Sequence, residues 1–378
     1  MNEQRATIEN SRVLVVGGAG FVGSNLVSRL LDDGAASVHI VDNFLSAEPE
    51  NVPEDSRVSI SGKSINDDSV LREVGTEWDI VFHLATYHGN QSSIANPHED
   101  HENNLRTTLV IADHFSRSSS LKSLVYASAG CTVAEKTYDD AQATNEDDPI
   151  SLYLDSPYQI SKIVGELYLN YFERSSGLPS VKARFQNVYG PREILGAGEW
   201  RGTPATVWRN VIPTFIYRAI KGYKLSLDND GMNSRDFIYV EDLVDGLVRC
   251  ATYGEIGGIY NLASGVETSI KRLAEVIMLE TASESELEML PARDWDRSGR
   301  RFGSTGKSQT DLGFLASTSL ETGIHRTVQW AKDNFDLITE TINTVSYTHL
   351  RAHETREDRV WRGVGGKKKG GGGGGGGG

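Results

Sequence analysis

The sequence predicts an α/β fold in which a doubly wound parallel sheet carries a smaller C-terminal lobe. Three observations point to it. An apolar run near the N-terminus opens into a glycine-rich turn and then a helical pattern. Further short apolar runs follow, separated by helical segments, as in a parallel sheet wound from βα units. Later, helical spacings around Ile212–Ile216 and Leu273–Ile277 frame a second lobe. With 378 residues, 38% of them hydrophobic, the chain is long enough for one large domain with a smaller lobe.

Residues Ser11 to Gly17 read as a buried strand, Arg-Val-Leu-Val-Val, which runs into Gly17-Gly18-Ala19-Gly20-Phe21-Val22-Gly23. Apolar residues Phe21, Val22, Leu26, Val27, Leu30 and Leu31 then recur at helical spacing. In that setting each glycine has a reason. Gly17 permits the tight turn, Gly20 lets a pyrophosphate approach the backbone, and Gly23 allows close helix–strand packing; the helix start at Phe21 and Val22 supplies unpaired N–H groups. The next strand, Ser37–Val41, ends at Asp42 and Asn43. Asp42 follows the last glycine at about the spacing of a ribose-binding acid, and a 2′-phosphate would meet its like charge, so NAD is expected rather than NADP. Two more strands are expected in the apolar runs Asp79–Ala85 and Ser123–Ser128.

The formal net charge of −14 argues against a nucleic-acid partner. Only Cys131 and Cys250 are present, too few for a disulfide framework or a multi-cysteine metal site, and a reducing compartment fits best. The N-terminal stretch has no apolar signal core and no run of about 18 apolar residues occurs. A soluble, cytoplasmic protein with no membrane association is expected. From Val345 the composition changes abruptly, ending in lysines and a glycine run to Gly378. Residues 345–378 resemble translated sequencing-adaptor DNA followed by homopolymer and are set apart as a non-native tail. His349 and His353 fall there and are not read as metal ligands.

Around Ser156-Pro157-Tyr158-Gln159-Ile160-Ser161-Lys162 a proline-led start gives way to a helical pattern. Tyr158 and Lys162 therefore share one helical face. A free tyrosine, with a pKa of about 10, is a poor base at neutral pH. A neighbouring ammonium favours the phenolate, so Tyr158 is the candidate base for a sugar hydroxyl and Lys162 its activator.

These motifs, with Phe82-His83-Leu84-Ala85, Asn104 before Thr107-Thr108, Arg184–Pro191 and Arg235–Asp242, resemble the NAD-dependent epimerase/dehydratase family over about Ser11 to Asn334. The resemblance implies a Rossmann domain over residues 11–185, with return segments near 233–263. Residues 186–232 and 264–334 would form a lobe that grips a sugar diphosphonucleoside. It implies a bound NAD contacted by Gly17, Gly20, Phe21, Val22, Gly23, Asp42, Asn43, Ser64, Ile65, Leu84, Ala85, Asn104, Tyr158 and Lys162. Asn104 counterparts more often brace backbone near the active-site helix. On the substrate side, Asn187 would meet sugar or diphosphate, Asn210 and Val211 the nucleotide, and Arg235 and Arg293 the diphosphate, where a planar guanidinium suits phosphate oxygens. Such proteins commonly dimerise through the two helices that include the Tyr158 helix.

Some positions depart from the pattern. The slot where the family places a catalytic Ser or Thr is Ala129, which leaves Ser128 and Thr132 as the nearest hydroxyls. Gly130 and Cys131 replace the Asp-Glu pair of sugar 4,6-dehydratases, which disfavours simple dehydration. Cys131 resembles in position the acid/base cysteine of GDP-mannose 3,5-epimerases. The 196–209 segment, with Trp200, Arg201, Trp208 and Arg209, falls where the family builds a substrate lid. The expectation is a nucleotide-sugar epimerase working through a transient 4-keto sugar. The alternatives are a 3,5-epimerase, dehydratase or one-way oxidoreductase, and, in another class, a non-catalytic NAD-binding protein.

Overall fold

The computed structural model describes residues 1–87, 89–130, 142–198, 207–208, 210–292 and 299–344. Its first half alternates strand and helix: β1 (Arg12–Val16), α1 (Phe21–Asp32), β2 (Ser37–Val41), β3 (Val58–Ser61), α2 (Asp68–Val74) and β4 (Ile80–His83). Then come α3 (Asn90–Ala95) and α4 (Pro97–Asp100), which runs through a wide π turn at His101–Arg106 into α5 (Thr107–Phe115). β5 (Ser123–Ala129), α6 (Pro157–Ser176) and β6 (Ser180–Phe185) complete this half.

The second half contains β7 (Asn187–Tyr189), α7 (Val211–Ile220), β8 (Leu225–Asp228), β9 (Ser234–Tyr239), α8 (Val240–Tyr253), β10 (Ile259–Leu262), β11 (Glu267–Ser269), α9 (Ile270–Thr281), β12 (Leu287–Leu290), α10 (Gly306–Leu312) and α11 (Leu320–Asp333). A last helical stretch covers residues 335–344.

Seven strands form one parallel sheet in the order β10-β6-β5-β4-β1-β2-β3. The β1, β4 and β5 strands are apolar almost throughout and buried, as strands covered on both faces must be. β1 pairs with β2 on one side and β4 on the other, with Val16 opposite both Val41 and His83. Strand order reverses there, so a crevice opens at the carboxyl ends of β1 and β4. α1 covers the sheet with Leu26, Val27, Leu30 and Leu31 at helical spacing.

The chain then moves to a lobe with its own core around Ile212, Phe215, Leu225, Leu273, Ile324 and Val328. β9 lies in the lobe, central in the three-stranded sheet β11-β9-β7. α8 directly after it returns to the large sheet, burying Val240, Leu243, Val244 and Leu247, and β10 takes the edge beside β6. The lobe is thus anchored to the sheet by an uninterrupted strand–helix junction. Among the described residues, no helix is long and apolar enough to cross a membrane. The segment from 345 onward lies outside the described residues.

Candidate functional site

At the end of β1 the backbone turns at Gly17 with φ +88°, and a Cβ there would stand 2.5 Å from the Ala85 nitrogen. A Cβ on Gly23 would lie 2.1 Å from the Gly17 carbonyl oxygen. Backbone surrounds both sites, so neither tolerates a side chain. Gly20 differs: a Cβ would meet only the Gly17 oxygen, at 3.5 Å, and would otherwise occupy the cavity that Gly20 lines. Gly20 also caps α1 without any side-chain cap, and the first turn of that helix carries no acidic residue. The result is an open helix N-terminus facing a cavity, the arrangement that receives a phosphate. Asp42 closes the end of β2. Its Oδ2 accepts from the Ala19 N–H (3.0 Å) and its Oδ1 from the Phe44 N–H (2.9 Å). Burial pushes its carboxyl above the ordinary range, against the backbone N–H groups that pull it down. The carboxylate keeps acceptor sites for ribose hydroxyls. The residues present fit a dinucleotide.

Opposite this turn, α6 begins with Ser156 accepting the Gln159 N–H and with Pro157 in its first turn. That start places Tyr158 and Lys162 on the cavity wall. Lys162 is 2% exposed; its Nζ donates to the Ala127 carbonyl at 2.9 Å and lies 5.7 Å from the centre of the Tyr158 ring. Behind it, His83 is fully enclosed, with Nε2 2.9 Å from Thr108 Oγ1. Burial, with the Lys162 charge adding to it, lowers its imidazole to about 3. His83 is therefore neutral at physiological pH and places no second charge behind Lys162.

Two expected residues have their polar groups already committed within the chain. Asn104 is placed behind the cavity and is 1% exposed. Its Oδ1 accepts from Thr86 Oγ1 and the Tyr87 N–H, while its Nδ2 donates to the Tyr87 carbonyl and Asp100. All four bonding positions of the amide are used. Asn104 braces the backbone after β4, the role its counterparts more often have, and does not line the cavity. Ser128 does line the cavity, yet its hydroxyl donates to Glu166 Oε1 at 2.5 Å, and Glu166 is held in a buried pair with Arg184 at 2.8 Å. With its proton spent, Ser128 can accept from a sugar hydroxyl but cannot donate to a sugar carbonyl.

The other described expectations converge on one cavity of about 700 Å³. Gly17, Gly20, Phe21, Val22, Gly23, Asp42, Asn43, Ser64, Ile65, Leu84 and Ala85 line its first part. Asn187, Asn210, Val211 and Arg235 line the same cavity, as do Tyr158 and Lys162. Asn187 Nδ2 donates to the Asp236 carbonyl (3.1 Å), and Asn210 Nδ2 is bonded to Glu193. Asp236, wholly buried, accepts from the N–H groups of Ser264, Gly265 and Gly303 and so fixes β9 and Arg235 with it. Cys131, Thr132, Arg293 and the lid residues Trp200, Arg201 and Arg209 lie outside the described residues. Trp208 is described and lines the cavity. The sequence reading did not single out Thr86, Asn90, Glu193, Asp228 or Arg301, which also line it. Thr86 and Asn90 follow directly on the β4 motif and could have been found there; the others are brought in from separate segments of the chain and carry no local signal.

The geometry agrees with what the chain resembles among known proteins. It is 31% identical over 329 residues to the UDP-glucose 4-epimerase of Mycolicibacterium smegmatis, covering 85% of this chain and 99% of that protein. Among solved structures, the Bordetella bronchiseptica enzyme WbmF in complex with NAD+ and UDP is 52% identical, with a TM-score of 0.82 over 90% of this chain and 98% of that one. The UDP-glucose 4-epimerase of Thermotoga maritima with UDP-glucose is 27% identical, with a TM-score of 0.76 over 86% of this chain and 99% of that one. The model of the NAD dependent epimerase/dehydratase family matches residues 13–263. The chain belongs to the NAD dependent epimerase/dehydratase family, and NAD is its cofactor.

Proposed function

We propose that this enzyme epimerises a uridine diphosphate sugar at C4. The observation that carries the reading is that the Tyr158–Lys162 pair lines one cavity together with the open dinucleotide turn and with Asn187, Asn210 and Arg235. A bound NAD supplies reversible oxidation of a sugar carbon. The chain supplies the rest. Gly17, Gly20, Gly23 and Asp42 would hold the dinucleotide, and Arg235 would hold the diphosphate of the sugar nucleotide. Tyr158, as phenolate beside the Lys162 ammonium, takes the proton of the C4 hydroxyl and later returns it from the same atom. The keto sugar formed between those two proton transfers exposes its other face by turning about its link to the diphosphate, which stays anchored.

Because the Ser128 proton already goes to Glu166, Ser128 serves as an acceptor from the sugar hydroxyl. The uridine assignment follows the UDP of the WbmF complex and the substrate named for the two 4-epimerases. We further propose a homodimer built on α5 and α6, where Leu109, Ile160, Leu167 and Tyr171 are 36%, 49%, 56% and 62% exposed. The cytoplasm is the proposed compartment, in keeping with a chain that carries only two cysteines.

Product analysis of the NAD-loaded enzyme with UDP-, dTDP-, CDP- and GDP-sugars tests the reading. A C4 epimer formed from a UDP-sugar and abolished in Tyr158→Phe is the expected outcome. Inversion at C3 or C5 that depends on Cys131 would replace it, and net dehydration or net change in NAD redox state would reject it.

A further inference from the structure

Directly after β7 the chain runs back against the dinucleotide turn before it enters the lobe, and residues 191–198 are tied down at both ends. At the first end the ties are to α1. Asn25 Nδ2 donates to the Pro191 carbonyl (3.1 Å), and Arg192 Nη1 donates to the Ser24 carbonyl (2.8 Å) and to Ser28 Oγ (2.9 Å). At the other end the tie is to the loop after β2. The Gly198 N–H donates to Glu48 Oε1 (2.8 Å), and a Cβ on Gly198 would stand 2.5 Å from the Leu45 carbonyl oxygen. Between the ends, Ile194, Leu195, Gly196 and Ala197 line the cavity, as do Asn43 and Ser46 of the loop.

The two anchoring elements are the ones that frame the dinucleotide turn. α1 starts at the Gly20 cap, and the loop starts at Asp42 where β2 ends. A segment bonded to both spans the interval between them as a strap. The strap belongs to the lobe, since Leu195 packs in the lobe core and its carbonyl accepts from Thr341 Oγ1 (2.8 Å).

The strap is also held under tension. Arg192 has φ +73°, a conformation unfavourable for a residue with a side chain, and it persists because the bonds to α1 and the packing around it over-determine it. Burial pulls the Arg192 guanidinium down, and no carboxylate offsets that cost. Arg192 lines the cavity, so the phosphate charges of a dinucleotide there would favour the charged, tied-down form.

We propose that Arg192 and Glu48 are cofactor-positioning residues that latch the 191–198 strap across bound NAD, so that NAD leaves only after one end of the strap lets go. The proposal concerns the hold on the cofactor and is independent of which sugar carbon reacts.

The test uses the full chain loaded with NADH and mixed with excess NAD+, with release followed by the loss of bound-nicotinamide fluorescence. Glu48→Ala and Arg192→Ala should each release NADH about ten- to hundredfold faster than the native protein, the range expected for losing a hydrogen bond to a charged group. Glu48→Gln, which still offers an oxygen to the Gly198 N–H, should stay within about threefold of native. Freeing either end opens the same path, so the rate of the double alanine variant should be about the sum of the two single rates and not their multiplied effect. The thermal midpoint of the NAD-free protein should hold in Glu48→Ala. Native release rates in both alanine variants would overturn the proposal, and multiplied effects in the double variant would overturn the single strap. A lowered midpoint in NAD-free Glu48→Ala, or release from Glu48→Gln as fast as from Glu48→Ala, would overturn the role of Glu48 as a latch.

Discussion

The two halves of the cavity are made by different means. The dinucleotide half is built largely from backbone in one short stretch, Gly17 to Gly23, with Asp42 at the end of the neighbouring strand. The substrate half is built from side chains drawn from β7, α7, β9 and the chain after Gly299. At Gly17 and Gly23 an added atom meets fixed backbone, so those positions tolerate no side chain. A side-chain site can exchange one group for another, which lets related enzymes keep the cofactor while the sugar differs.

The largest effect is expected at the seam between the halves. Tyr158→Phe should lower kcat by about a hundred- to ten-thousandfold while NAD stays bound, measured by turnover and by the nicotinamide content of the purified enzyme. Loss of bound NAD in that variant would place Tyr158 in the cofactor half instead. Next comes the buried Glu166–Arg184 pair that supports the seam from behind. Arg184→Met should cost about 3–5 kcal/mol of stability in denaturant unfolding, because it strands a charged Glu166 out of water. An undiminished midpoint would mean that water reaches Glu166.

Within the cofactor half, Gly20→Ala and Gly23→Ala separate binding from folding. Gly20→Ala should keep the native thermal midpoint and weaken NAD, since its Cβ has room except in the cavity. Gly23→Ala should lower the midpoint outright, since its Cβ lands on the Gly17 carbonyl. Equal behaviour of the two would break the contrast between halves. In the substrate half, Asn210→Ala should raise KM several-fold with kcat nearly kept, the mark of an interaction shared by bound substrate and transition state.

The smallest effect is the pH dependence carried by His83. Its imidazole is held down to about 3 when folded, against about 6.5 in the unfolded chain, so the unfolded state takes up the proton first. The resulting stability is complete above about pH 6.5 and is lost as the pH falls toward 3, with a slope of at most about 1.4 kcal/mol per pH unit. Comparing His83→Gln with the native protein by denaturant unfolding at pH 5 and pH 7 isolates this term. An identical pH slope in the two proteins would show that His83 is not the group responsible.

Much of the molecule was legible in the sequence where the reason is local. β1, the glycine turn and α1 announce themselves because tight turns need glycine and a helix on a sheet needs an apolar stripe, and the α6 start shows in Ser156 and Pro157. The bonding partners of Asn104 and Ser128 were not legible because they are remote. Nothing near Asn104 in the chain shows that Thr86 and Tyr87 consume its carbonyl, and nothing near Ser128 shows that Glu166 takes its proton.

The sequence by itself determined the parallel sheet, the NAD turn and the Tyr158–Lys162 face, since each depends on residues within a few positions of one another. Only the tertiary structure decided that β9 sits in the lobe while α8 returns to the sheet, and that the amide of Asn104 and the proton of Ser128 are already committed. Those outcomes depend on which distant groups share a desolvated space, and hydrogen-bond competition in such a space is set by packing, not by adjacency along the chain.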